Sequence, residues 1–190
     1  MATMRVYVYP QPVLARKAKA ITRIDKEIRE FGARLVETML EADGVGLAAP
    51  QVGESIRVIA LNMDDRPRVF INPRIVEREG RQIELEGCLS FPRLYGDVVR
   101  PEKVVVEATR LNGRRTRVEA EGLMARAFCH ECDHLDGITF IEKVIEPTLG
   151  WLLPDPESEE GLRFEKTTLE EAKRLLTEYG GYPMHLEAQK

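Results

Sequence analysis

Residues 130–134 read His-Glu-Cys-Asp-His, and no other stretch of this 190-residue chain restricts its fold so tightly. An α-helix advances about 100° per residue, so His130 and His134 share one face, one turn apart. Two imidazoles so placed can hold one metal ion, and Glu131, about 100° further round, can reach a water on that ion. The flanking pattern predicts a helix from Leu123 to about Leu135, closed by Gly137. The chain has three histidines, and two of them stand at this spacing around a Glu. A fold that uses them must bring further ligands up to this helix face.

Catalytic sites of this kind usually keep three protein ligands and a water. A third His in a H-E-x-x-H-x-x-G-x-x-H pattern is excluded, because the pattern holds through Gly137 and ends on Phe140, which cannot bind metal. Glu157, Glu159 and Glu160 lie at a suitable distance downstream but beside Pro154 and Pro156, in a stretch that reads as loop. His185 lies near the tail. Cys88 follows Gly87 at the end of an expected strand, where backbone can approach a site closely, and its thiolate suits zinc or ferrous iron. Taken alone, such a cysteine is more readily a core residue, so the residues by themselves leave the third ligand open. The other two cysteines differ in position. Cys132 is about 200° from His130 and faces away, towards the core; Cys129 is nearer the site but a weak ligand candidate. Three cysteines in a chain this size do not make a disulfide framework, and reduced thiols fit a cytoplasmic location.

Elsewhere the period of the apolar residues sets the expected elements. Ile28, Phe31, Leu35 and Met39 form one helical stripe over residues 25–43, capped by Asp25 and ended by Gly44. Residues 44–53, GVGLAAPQVG, read as loop; lacking the Lys-Ser/Thr of a P-loop, and with Ala49 at the third glycine position of the dinucleotide pattern, they do not read as a phosphate cradle. Residues 56–63 read as a buried strand, and 69–79, 81–87, 104–113 and 114–122 read as further strands, with a hairpin tip at Leu111-Asn112-Gly113. Residues 148–164 read as loop, and residues 167–181 as a short amphipathic helix whose Thr168 caps its start in a capping box with Glu171. No run approaches the ~20 apolar residues of a membrane span, and the N-terminus lacks the pattern of a secretory signal. A formal net charge of −4 argues against direct nucleic-acid readout.

Three segments then stand together: Gly44-Val45-Gly46-Leu47-Ala48-Ala49-Pro50-Gln51, Glu86-Gly87-Cys88-Leu89-Ser90, and His130 to Gly137. In content, order and spacing they resemble the three motifs of the peptide deformylases, over roughly residues 5–145. The resemblance implies an α+β fold, with antiparallel sheets around a central helix carrying the metal motif. It implies a catalytic domain over 1–147, with 148–190 as a C-terminal loop and helix packed on the same domain. It implies that Cys88, His130 and His134 bind the metal and that Glu131 is the general acid/base. Gln51 and the backbone N–H of Leu89 would hold the developing oxyanion, and Gly46 would hydrogen-bond the substrate backbone. Read without the other motifs, Gln51 and Gly46 are ordinary turn residues. Val45, Leu123 and Phe91 would line an apolar slot for a methionine side chain. Arg126 and Ala127 lie one turn before the ligands, and Arg126 stands at a position often aliphatic in the family. Arg100 is expected to pair with Asp133 and steady the helix.

The implied reaction removes the N-formyl group from the formyl-methionine of newly synthesised proteins and releases formate. The implied cofactor is one Fe2+ per chain, with Zn2+, Ni2+ or Co2+ as substitutes. The implied partners are formyl-methionyl nascent peptides and, transiently, the ribosome, although the mixed charge of 168–179 is not that of an RNA-binding helix. The alternative reading is a metallopeptidase using the same motif.

Overall fold

The computed structural model describes residues 3–183. In chain order its elements are α1 (Lys26–Glu41), β1 (Gly46–Ala48), β2 (Val58–Met63), β3 (Arg66–Glu79), β4 (Gln82–Cys88), β5 (Phe91–Arg100), β6 (Lys103–Thr109), β7 (Arg115–Glu121), α2 (Gly122–Leu135), β8 (Gly150–Pro154), β9 (Leu162–Lys166) and α3 (Leu169–Tyr179). The strands make two sheets, in the orders β1-β2-β3-β6-β7 and β4-β5-β8-β9, and every ladder between named strands is antiparallel.

The unbroken apolar run of β2 has a physical reason: the strand is covered on both faces. Ile59 and Leu61 join Phe128, Ala125 and Leu135 of α2 in one buried cluster. Val58 and Ala60 join Phe31, Leu35 and Met39 of α1 in another. The first sheet therefore lies between two helices, and the stripe read from α1 is its buried face. Asp25 caps α1 as expected, its side chain accepting from Ile28 N at 3.1 Å. The helix ends at Glu41 with Ala42 as its C-cap, and the residue after it that takes the left-handed conformation is Asp43, φ 52°, not Gly44; a short polar side chain tolerates it.

Four expectations need correction. Residues 44–53 are not only loop: Gly46–Ala48 pairs with β2, and Ala49–Val52 forms a 3-10 turn. Strand β5 is absent from the sequence reading because Pro92 and Gly96 argue against a strand interior. Its alternation is broken at Arg93, φ 63°, close to a register shift between Gly87 and Cys88, and resumes with Leu94, Gly96, Val98 and Arg100 buried. Residues 148–164 contain the strand β8 and the start of β9, which form a hairpin. Trp151 and Leu153 of β8 are buried together with Phe91, Leu94 and Val98, and with Ala172, Leu175 and Leu176 of α3. The acids and Pro156 that suggested loop occupy its turn, and Pro154 ends β8. For α3, Thr168 Oγ1 accepts from Glu171 N at 3.2 Å, but the Glu171 carboxylate binds Arg174 instead of closing a capping box.

Candidate active site

Two elements from different layers supply the three ligand candidates. Helix α2 presents His130 and His134, and Cys88 ends strand β4. His134 Nε2 lies 3.2 Å from His130 Nε2 and 3.3 Å from Cys88 Sγ. All three ligand atoms lie within 4.8 Å of one another, the only such group of three among the described residues. The donor set fits a divalent transition metal. Glu86 Oε2 lies 3.0 Å from His130 Nδ1, which places the imidazole proton there and leaves Nε2 as a lone pair facing the other two donors. Cys129 and Cys132 are buried and border a separate small cleft beside Arg57 and Lys143, away from this group. His185 lies outside the described residues, and Phe140 is a core residue.

The catalytic candidates face a cleft of about 380 Å³. Glu131 is 4% exposed, and its Oε2 has no hydrogen-bond partner. Burial pushes its carboxyl up to about 7, against the opposing pull of His130. Gly46 lies directly on it. A Cβ at Gly46 would meet Glu131 Oε1, with Glu131 Cγ and Cδ at 2.9 Å, so only glycine lets β1 pass this carboxylate. Gln51, 1% exposed, serves both its turn and the site: its Oε1 accepts from Ala48 N at 2.8 Å, which turns Nε2 towards Cys88 Sγ, 3.5 Å away, and Ser90 Oγ, 3.3 Å away. Leu89 borders the same cleft.

Val45 and Leu123, 41% and 61% exposed, sit on the rim, and Ala127 lines the cleft. Phe91 borders it too but is wholly buried, stacked on Tyr9 at 5.4 Å and edge-on to Phe140 at 5.4 Å, so it is mainly core. The sequence reading passed over Leu85 and Tyr95, which also border the cleft.

The sequence reading also assigned no role to Glu86, which is the hub beneath the ligands. Arg100 donates to both its oxygens, from Nε at 2.9 Å and Nη2 at 3.0 Å. Burial would raise the Glu86 carboxyl, but the hydrogen bonds from His130 and Arg100 outweigh it and hold it at about 2. Arg100 Nη1 donates to Asp133, as expected, and Lys143 Nζ binds the same carboxylate at 2.7 Å. A usable signal existed, because Glu86 and Cys88 are two apart on a strand and so point to the same face.

The polypeptide deformylase family model matches residues 3–149. The peptide deformylase of Dictyoglomus thermophilum is 46% identical over 138 residues, 73% of this chain and 90% of that protein. The crystal structure of peptide deformylase from Thermus thermophilus is 45% identical and superposes with a TM-score of 0.71, covering 74% of this chain and 84% of that one. The peptide deformylase structure from Legionella pneumophila is 31% identical, with a TM-score of 0.78 over 100% of this chain and 99% of that one. The metallopeptidase alternative finds no support among these relatives. With the motif match spanning most of the chain, and the folds agreeing, the chain is an enzyme of the polypeptide deformylase family.

Proposed function

We propose that this enzyme removes the N-formyl group from the N-terminal formyl-methionine of newly synthesised proteins and releases formate. The observation that carries the reading is the convergence of Cys88 Sγ, His130 Nε2 and His134 Nε2 beside the buried carboxylate of Glu131. Cys88, His130 and His134 would hold a divalent metal ion, which would supply Lewis acidity and lower the pKa of water towards ~7. The chain's own residues do the rest. Glu131 takes a proton from the attacking water and delivers it to the leaving amine, as a carboxyl poised near neutrality can. Gln51 Nε2, with the Leu89 N–H, holds the negative charge that grows on the formyl oxygen. Gly46 presents β1 backbone to the peptide, which lies as an added strand at that sheet edge. Val45 and Leu123 cover the methionine side chain.

Fe2+, one per chain, is our choice of resident metal, with Zn2+, Ni2+ or Co2+ as substitutes; a thiolate and two imidazoles suit each of them. We take α2 as the central helix, since it packs on β1, β2, β3, β6 and β7 and also touches β5. We take residues 1–147 as the catalytic domain and 148–190 as part of the same folding unit, supported as far as residue 183 by the shared cluster around Trp151. No helix of the described residues is long and apolar enough to cross a membrane. A cytoplasmic enzyme meeting nascent chains, and transiently the ribosome, suits the three free cysteines.

The test is formate release from a formyl-methionyl tripeptide by anaerobically prepared, iron-loaded protein. Release that a chelator abolishes supports the proposal. No release from protein with a verified metal content, together with cleavage of unformylated peptides, overturns it in favour of a peptidase.

A further inference from the structure

Arg126 stands one turn before His130 on α2, at a position often aliphatic in the family, and borders the cleft. The structure gives it another role. Its side chain is 5% exposed, and its Nη2 donates to the carbonyl oxygens of Glu84 at 2.9 Å and Leu85 at 3.3 Å. The same nitrogen lies 3.2 Å from Glu86 Oε1. One guanidinium edge thus grips three consecutive residues of β4.

That strand needs gripping. It is the edge of the second sheet, paired only with β5 among the described strands. Yet it carries Cys88 and Glu86, whereas His130 and His134 come from α2, which packs on the first sheet. The meeting of thiol and imidazoles therefore depends on what sets β4 against α2. The polar ties along this seam are few. Gln82 Nε2 reaches Gly122 O at 3.0 Å at the far end, Glu86 meets His130 at the near end, and Arg126 lies between.

We propose that Arg126 is a positioning residue for the metal centre: it registers β4 against α2 so that Cys88 meets His130 and His134. It contacts no ligand atom and acts through the β4 backbone and Glu86. All three contacts run through Nη2, while Nη1 is buried with no partner, so what lysine loses here is reach: its ammonium ends one bond short of that terminal nitrogen. The inference rests on the metal-site reading above.

The experiment titrates metal-free protein with Co2+ under anaerobic conditions, reading affinity, d–d absorption and the thiolate-to-Co2+ charge-transfer band. Wild type that shows no such band overturns the metal-site reading itself, before Arg126 is tested. Given the band, Arg126→Met is expected to bind Co2+ roughly 10–100-fold more weakly, as loss of a ligand-orienting partner does. Its charge-transfer band should weaken relative to the d–d bands, because the thiolate is the ligand set loose. Arg126→Lys, which keeps charge and most of the packing, should fall between, and it carries the test if the Met variant does not fold. Wild-type Co2+ affinity and band ratio in the variants, with only a lowered melting temperature of the metal-free protein, would reduce Arg126 to ordinary packing and overturn the proposal.

Discussion

Gly46→Ala is the smallest change with a consequence that can be worked from the structure. The added methyl carbon would fall on the Glu131 carboxylate, with Cγ and Cδ at 2.9 Å, closer than carbon atoms pack. Either β1 or the Glu131 side chain must move. β1 is tied to β2 by the register Gly46↔Leu61, Leu47↔Ala60 and Ala48↔Ile59, all with buried partners. The side chain is therefore the softer element, and it should swing by about an ångström. A displacement of that size costs on the order of 100-fold in rate. Overpacking costs about 1–3 kcal/mol of stability, or a few to ~10 °C in melting temperature for a chain of this length. The assay is formate release from a formyl-methionyl tripeptide at matched metal content, beside a calorimetric melt. The expected result is kcat/KM down about 100-fold with metal affinity retained. A variant with kcat/KM within threefold of wild type would refute the reasoning, because it would show that Glu131 needs no fixed place against β1.

Glu131→Gln keeps the shape but removes the proton carrier, and should lower kcat by about 10²–10⁴ with metal content unchanged; full activity in metal-verified protein would exclude Glu131 as the acid/base. Trp151→Ala empties a site only 1% exposed and should cost about 3–5 kcal/mol. Its melt, followed by circular dichroism, should stay a single transition; two transitions would show that the β8–β9 hairpin and α3 fold apart from the rest. For metal-free protein, Glu86 has its folded-state carboxyl lowered from 4.5 to about 2, so its contribution is present above pH 4.5 and lost as the pH falls towards 2. The lowering corresponds to about 3 kcal/mol. Urea midpoints measured across that window should fall for wild type and fall less for Glu86→Gln; equal slopes would deny Glu86 this role.

The two histidines and Glu131 stood out from spacing alone, whereas Cys88, Gln51 and Gly46 were ordinary residues on local pattern and were singled out only by the resemblance of three motifs in order. The i, i+4 pair of histidines needs only a helix, and the helix was plain from Leu123 to Leu135. What local pattern could not supply was the packing between layers. Glu86 and Arg126 carry charge, which reads as surface, yet both are buried: Glu86 is held by Arg100, His130 and Arg126, and Arg126 is tied through Nη2 to Glu86 and the β4 backbone across the seam. Strand β5 was hidden by Pro92 and Gly96: Pro92 falls in the bulge opposite Gly87 and Cys88, and Gly96, in regular register with Glu86, has Val144 packed where a Cβ would stand. The hairpin of β8 and β9 was hidden because five-residue strands carry too little alternation to outweigh the acids and prolines of their turn. The Arg100–Asp133 pair, by contrast, was expected from the family resemblance, which has charged residues at both positions, and is present.

That the ligands come from two layers, Cys88 from the edge of one sheet and the histidines from the helix on the other, has a thermodynamic consequence. An ion that binds only when both layers are in place binds the folded chain and not the unfolded one. By mass action it then adds RT ln(1 + [M]/Kd) to the free energy of unfolding, about 2.7 kcal/mol when the free ion is at 100 times its dissociation constant. A metal held there would thus report on the whole architecture: its occupancy would raise the melting temperature, and a chelator should then loosen the seam between the sheets as well as silence the enzyme.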